Sequence, residues 1–428
     1  VRIRRSQWSA VAARAMAAAA GLVALPLVLG HLGKSAYGLW MVIASVGAWM
    51  QLAELGLTSG VGNALAEANG RDDRMAASAY IATALACLSA IAVAGLGLVF
   101  FAAGALPWHS IVGNADSAIV ALAPPAFIAV GAVFFVTLPL SLAYTICLAH
   151  QRAYIGNWLQ AGAAFVSLAA IYAAVRLRLP LPAIVVAASV GQILVLVLLW
   201  IFLGRAVPGT SVAPGRISRA ALRRISRSSI PLFLFQIGAL ATNQLVNIVL
   251  SHLSSLSLVA DYNALLAVYL AIFSLGAALS LPYYPAIREA FERRDGAWIH
   301  TALRQALALR LGVAVALGSP LLLIGDWAVR FWIRQPLERP FGWTGWLLFL
   351  ACMVLASTSS MLSEVLSGLD DIWFQVALVF ATAAVVLLAM FLLVPSLGVA
   401  GVFGAMAMST ALPIVVCWRR LRAMVTRV

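Results

Sequence analysis

Residues 25–73, LPLVLGHLGKSAYGLWMVIASVGAWMQLAELGLTSGVGNALAEANGRDD, divide into two apolar runs joined by a short polar link. The first run ends at Gly30, and residues 31–36 predict a turn too short to be a domain. A longer helix is expected from Tyr37-Gly38-Leu39-Trp40 onward. It carries Gln51 and Glu54 into its apolar middle and leaves at Glu67 and the charged turn Asn69-Gly70-Arg71-Asp72-Asp73. A carboxylate inside a membrane span is costly and is kept against a wet cavity or a partner helix. The stretch therefore reads as the hairpin of a transporter-like membrane protein, not as a lipid anchor.

The rest of the chain has the same character. Of 428 residues, 64% are hydrophobic and only 10% charged, too little polar surface for a soluble protein of this size. The net charge of +14 rests on arginine, Lys34 being the only lysine. The arginines sit in short links between apolar runs, where they orient spans, so nucleic acid is not the expected partner. Cys87, Cys147, Cys352 and Cys417 are isolated and suggest neither a disulfide framework nor a metal site. The first apolar run, about 8–30, is long enough to span and is not expected to be a cleaved signal peptide.

At roughly 20 apolar residues per crossing, the sequence predicts an all-α integral membrane protein of about twelve helices. They cover about 8–30, 36–66, 77–103, 118–149, 154–174, 181–204, 229–251, 259–287, 300–324, 341–367, 373–394 and 398–418. With the N-terminus inside, twenty basic residues fall on the inner side against six outside, which places both termini in the cytoplasm. A weak repeat at an offset of about 220 residues matches His31-Leu32 with His252-Leu253, and Glu67-Ala68 with Glu289-Ala290. Two six-helix bundles are expected, residues 1–204 and 229–428, related by a pseudo-twofold along the membrane normal. Between them, 205–228 reads as an amphipathic cytoplasmic link. Arg216, Arg219, Arg223 and Arg227 share one helical face opposite Ile217, Ala221 and Ile225. It is read either as an interfacial helix on anionic lipids or as an orientation determinant alone.

Several segments together carry a resemblance. Leu29 to Trp40 (LGHLGKSAYGLW), Glu54-Leu55-Gly56-Leu57, Asn243 to Tyr262 with its Asn247-Ile248-Val249 core, and Pro395 to Gly404 (PSLGVAGVFG) are in the expected order and spacing. The chain resembles the polysaccharide-flippase branch of the multidrug/oligosaccharidyl-lipid/polysaccharide exporter superfamily over essentially its whole length. The resemblance implies a flippase of the bacterial inner membrane that moves an undecaprenyl-diphosphate-linked oligosaccharide to the outer leaflet by alternating access. No cofactor is expected, and the partners it implies are the lipid-linked substrate and a polysaccharide polymerase or other assembly proteins, beside the anionic lipids expected at the 205–228 link.

Such cargo needs cations for the diphosphate and hydrogen-bonding groups for the sugar. Arg14, in the first helix, and Arg310, in the ninth, are the candidate phosphate ligands. Each is expected to face a cavity or an acid, the alternative being snorkelling to the inner interface. Glu54 shares a helical face with Gly47, Gln51, Thr58 and Gly62, a polar and small stripe at three- and four-residue spacing. It either packs between helices or works in the lumen, pairing Arg14 or taking up a coupling proton. Gln236, Asn243, Asn247 and Ser251 form a similar stripe on the seventh helix, suited to sugar recognition or to interhelical hydrogen bonds. Glu364, Asp370 and Asp371 are an acidic inner mouth without local basic residues, either a gate or solvated charge. Trp327, Arg330, Trp332, Arg334, Arg339, Trp343 and Trp346 mark an outer interfacial girdle. Pro139, Pro282 and Pro285 are candidate bends.

No catalytic constellation, metal-ligand spacing or phosphate-cradling loop is present in the sequence, and no link is long enough for an aqueous active site, so an enzyme is not expected. Two other readings stay open, a multidrug or cation antiporter of the same superfamily and a non-transporting scaffold of a polysaccharide synthase.

Overall fold

The computed structural model describes residues 2–54, 56–113, 115–150, 153–206, 214–227, 230–280, 283, 287, 290–291, 293, 295–368 and 372–425. Among them every regular element is a helix. Eleven segments are long and apolar enough to cross a membrane. The first of these, Ala15–Glu54, is broken at Gly33 (φ 75°, ψ 166°), and counting its limbs apart gives the twelve expected crossings. The expected six-residue turn is thus a single-residue break in α1 (Arg2–Ala48). Only glycine takes this conformation cheaply, so the helix resumes at once with Lys34.

A second difference bears on Glu54. The expected 36–66 helix is interrupted: α1 passes into a 3₁₀ turn at Trp49–Glu54, and α2 (Leu57–Gly70) begins after Gly56, at φ 70°. A 3₁₀ turn advances the chain by about 120° per residue instead of 100°. The stripe drawn through Gly47, Gln51, Glu54, Thr58 and Gly62 on one continuous helix is therefore not preserved.

The remaining helices are α3 (Arg74–Ala105), α4 (Trp108–Val112), α5 (Ser117–Val120), α6 (Ala123–Ala149), α7 (Ala153–Arg176), α8 (Leu181–Ala206), α9 (Arg219–Arg227), α10 (Ile230–Leu253), α11 (Leu256–Ser280), α12 (Gly296–Gly318), α13 (Leu321–Ile333), α14 (Gly342–Gly368), α15 (Ile372–Leu397) and α16 (Val399–Val425). Helix α6 continues through Pro139, while Pro282 and Pro285 lie outside the described residues.

The chain forms two compact units. Unit 1 comprises residues 1–32, 42–111 and 115–237; unit 2 comprises 33–41, 112–114 and 238–428. In unit 1, α3 packs on α6, α6 on α8 and α7 on α8, and α9 lies against α2 and α3. In unit 2, α16 packs on α14 and α15, and α12 on α11 and α14. Each unit carries the same turn at one helix start. Asp73 accepts from the Ala76 amide at 2.9 Å to cap α3, and Asp295 accepts from the Trp298 amide at 3.0 Å to cap α12. The Asp73 and Asp295 amides in turn donate to Ala68 O and Ala290 O, both at 3.0 Å. The repeat seen in sequence is thus a shared N-cap, which satisfies backbone donors a helix start leaves open.

Outward faces are apolar as lipid requires: Val93, Phe100 and Phe101 on α3 are exposed, while Ile81 and Leu88 are buried. The expected tryptophan girdle is mixed. Trp327 and Trp343 are exposed, Trp327 on the helix α13 that occupies the ninth-to-tenth link. Trp346 instead is buried among Phe341 and Phe349, and its indole N–H donates to Asp326 at 2.9 Å. An indole whose N–H has a partner inside the fold is core, not anchor.

Candidate functional site

Within unit 1 a cavity of about 640 Å³ opens between α1, α6, α7 and α8. Helix α1 presents Ala13, Ala17, Ala20, Gly21 and Ala24, a small-residue face at helical spacing. Helix α7 presents Asn157, Gln160 and Ser167, three polar groups on one face, α8 adds Gln192, and α6 adds Tyr144. The backbone geometry that makes room for them is specific. A Cβ on Gly191 would stand 1.9 Å from Ala163 O, so α8 lies directly on α7, and the Gly191 amide donates to Ser167 Oγ at 3.1 Å. The Tyr144 hydroxyl donates to Asn157 Oδ1 at 3.3 Å. The described lining residues are amides, hydroxyls and apolar groups, Leu148, Leu168 and Ile171 among them, without a formal charge. Arg14 belongs to α1, next to Ala13, but its side chain is outside the described residues.

Sequence reasoning missed this stripe, although Asn157, Gln160 and Ser167 recur at the same helical spacing that drew attention to the seventh helix. That helix, α10, uses its polar groups differently. Asn247 is buried and accepts from Asn263 Nδ2 of α11 at 2.8 Å; Ser251 is buried and donates to Ile248 O at 2.7 Å. Asn243 is exposed and turns its Nδ2 to Ala239 O at 2.8 Å. Gln236 is half-buried and falls in unit 1, whereas the other three belong to unit 2. Of the two readings, interhelical bonding accounts for Asn247. Gln51 is exposed in the 3₁₀ turn, and Glu54, half-buried, accepts from Thr58 Oγ1 at 2.8 Å.

Unit 2 ties its two buried charges, Arg310 and Asp261, to opposite partners. Arg310, 2% exposed, was expected to face a cavity or an acid, and the acid is Glu364. Its Nη2 donates to Glu364 Oε2 at 2.6 Å, its Nη1 to Ser360 Oγ at 2.8 Å and its Nε to Ser280 Oγ at 2.6 Å. The guanidinium therefore braces α12 against α11 and α14. Glu364 does have a basic partner, contrary to its sequence neighbourhood, because packing brings in a helix 54 residues earlier. Asp370 and Asp371 lie outside the described residues.

A second pair was not anticipated. Lys34 donates to Asp261 of α11 and, at 2.6 Å, to Pro336 O. Asp261, 2% exposed, also accepts the Glu338 amide at 2.7 Å, and Glu338 accepts from Ser255 Oγ at 2.6 Å. The close approach rests on Gly38, whose Cβ would lie 1.9 Å from Leu256 O. Asp261 lies near the start of its helix and reads in isolation as a helix-end acid, and its partner is 227 residues away.

Among the described residues no cluster of histidine, cysteine, aspartate or glutamate could hold a metal ion. No family model matches the sequence, and no curated protein matches it. Solved structures do. An inward-facing multidrug resistance transporter of the MATE family, MOP superfamily, aligns with TM-score 0.77 at 14% identity, covering 98% of this chain and 95% of that one. A MOP superfamily transporter from Pyrococcus furiosus, described as having a binding pocket of reverse polarity, gives 0.73 at 16% over 99% and 95%. A mutant Vibrio cholerae MATE transporter gives 0.71 at 12% over 99% and 98%. At these identities the likeness establishes a shared fold.

Proposed function

We propose that this chain is an alternating-access membrane exporter whose cargo is a lipid-linked oligosaccharide, carried from the inner to the outer leaflet. The observation that carries the reading is the unit 1 cavity. Its volume lies within the range of ligand sites, and its described lining sets amides and hydroxyls beside apolar walls of alanine, leucine and isoleucine. A sugar ring has the same duality, hydroxyls at its edge and C–H groups on its faces. Amides can exchange a protein or water partner for a hydroxyl at small net cost. The diphosphate is assigned to Arg14, adjacent in sequence to the cavity-lining Ala13, and Arg310 is assigned to bracing. Transport itself is supported by the fold shared with MATE transporters.

That same likeness favours a second reading, a multidrug exporter, since the solved transporter with TM-score 0.77 is described as one. A cationic drug, however, meets no carboxylate among the described lining residues. The two readings separate in proteoliposomes loaded in parallel with a fluorescent polyprenyl-diphosphate oligosaccharide and with a lipophilic cationic dye. The glycolipid is expected to flip, and replacing Gln160 and Gln192 together by Leu is expected to slow it about tenfold, two hydrogen bonds' worth, at unchanged thermal stability. Movement of the dye without the glycolipid overturns the proposal in favour of drug export; movement of neither favours the scaffold.

A further inference from the structure

Helix α9 poses a question that neither packing nor the cavity answers. It is held on unit 1 by three fixed contacts. Ala221 and Ile225 are buried against the bundle, the Ser218 amide donates to Thr83 Oγ1 at 3.1 Å, and Arg224 pairs with Glu67. What this leaves outside is Arg216, Arg219 and Arg223, with Ile217 53% and Leu222 36% exposed beside them. The neighbouring 67–74 segment does not neutralise this face. Glu67 is shared between Arg224 and Arg71, the latter at 2.8 Å, and Asp73 caps α3; Asp72 and Arg74 offset one another.

The depth of α9 follows from α3. That helix has 32 residues, about 48 Å at 1.5 Å per residue, against a hydrocarbon core of about 30 Å. A typical tilt of about 20° absorbs little of the roughly 18 Å surplus. The surplus belongs at the Arg74 end, because Val93, Leu98, Phe100 and Phe101 keep the other end exposed and apolar almost to its last turn. Thr83 is nine residues along, about 13 Å from Arg74, so the Ser218 contact puts the start of α9 near the hydrocarbon edge. A helix at that depth with bare arginines and protruding apolar side chains has the make-up of a headgroup-level surface.

We propose that the exposed face of the 216–223 segment, formed by Arg216 and Ile217 in the turn before α9 and by Arg219, Leu222 and Arg223 within it, binds the headgroups of anionic phospholipids. The guanidiniums bridge phosphates and the two aliphatic side chains enter the acyl boundary. This site is independent of the cargo cavity, so its test is independent of the transport reading.

The full chain is labelled with a fluorophore at Ala220→Cys in a Cys87→Ala background, the other three cysteines being buried. It is reconstituted in zwitterionic vesicles carrying small equal amounts of headgroup-region spin-labelled phosphatidylglycerol or phosphatidylcholine. A label at Val93→Cys, on the lipid-facing side of α3, supplies the bulk reference. Quenching at Ala220→Cys is expected to favour phosphatidylglycerol about fivefold, the factor one arginine contributes at a charged surface. The preference should return to one at about 1 M salt, where the Debye length is about 3 Å, and in the Arg216→Gln, Arg219→Gln, Arg223→Gln protein. Equal quenching by the two lipids at low salt overturns the anionic preference. Quenching by neither places α9 away from the bilayer and overturns the site altogether. The salt arm uses the unaltered arginines, so a misfolded variant does not decide the outcome.

Discussion

The two units handle polar groups in lipid in opposite ways. Unit 1 lines a cavity with uncharged amides and hydroxyls, and its described ion pairs, Glu67 with Arg71 and Arg224, sit at the surface. Unit 2 buries single charges against opposite partners, Asp261 against Lys34 and Arg310 against the exposed Glu364, and completes their hydrogen bonds from serines and backbone. An amide beside a void can change partners, whereas a buried charge cannot lose its partner without a desolvation penalty. One unit sets exchangeable polar groups beside a void, and the other fixes its buried charges to partners.

The largest effect is expected at Lys34. Lys34→Met leaves the Asp261 carboxylate, 3% exposed, without its cation, a loss of about 3–5 kcal/mol by analogy with other severed buried pairs. It should appear as a large drop in melting temperature in detergent. Adding Asp261→Leu should recover most of the loss; equal destabilisation of single and double variants would mean that the pair is not its source. Arg310→Met should cost less, about 2–3 kcal/mol, because the Glu364 side chain it abandons is 41% exposed and can rehydrate. Glu364→Gln, which leaves the 2%-exposed guanidinium without its counter-charge, should cost more than Arg310→Met, and the order of the two melting temperatures checks the assignment.

The smallest effect belongs to unit 1. The Arg224 guanidinium, first by its hydrogen bond and then by its charge, holds the Glu67 carboxyl below the usual carboxylate range. A lowered folded-state pKa stabilises above the ordinary value, about 4.3, and the contribution is lost as pH falls through the folded value. Protease cleavage near α9 should therefore be unchanged from neutral pH to about 5 and rise only in stronger acid, by a margin small enough to vanish in salt. In Glu67→Gln the acid-dependent part should disappear. An acid response as large as that of the Lys34 variant would erase the distinction between the units.

What the sequence discloses here follows the range of the interaction. Apolar runs write each crossing locally, so α3, α6 and α8 are legible within a few residues. The shared N-caps left a trace as an offset repeat. The 3₁₀ turn at Trp49–Glu54 has no local marker until Gly56, so Glu54 was read on a helical face that does not exist. Asn157 and Gln160 were readable from spacing alone but lack the charge that draws notice. Asp261 needed a contact spanning 227 residues, which no periodicity encodes.

Lys34 has a use beyond stability. It is the only lysine among 428 residues, so apart from the chain's amino terminus it is the sole target for amine-acylating reagents. While Asp261 and Pro336 O hold its Nζ, the side chain is only 13% exposed to a reagent. Each acylation of the side chain thus records one excursion in which that grip was released, and the labelling rate counts such excursions without a single engineered residue.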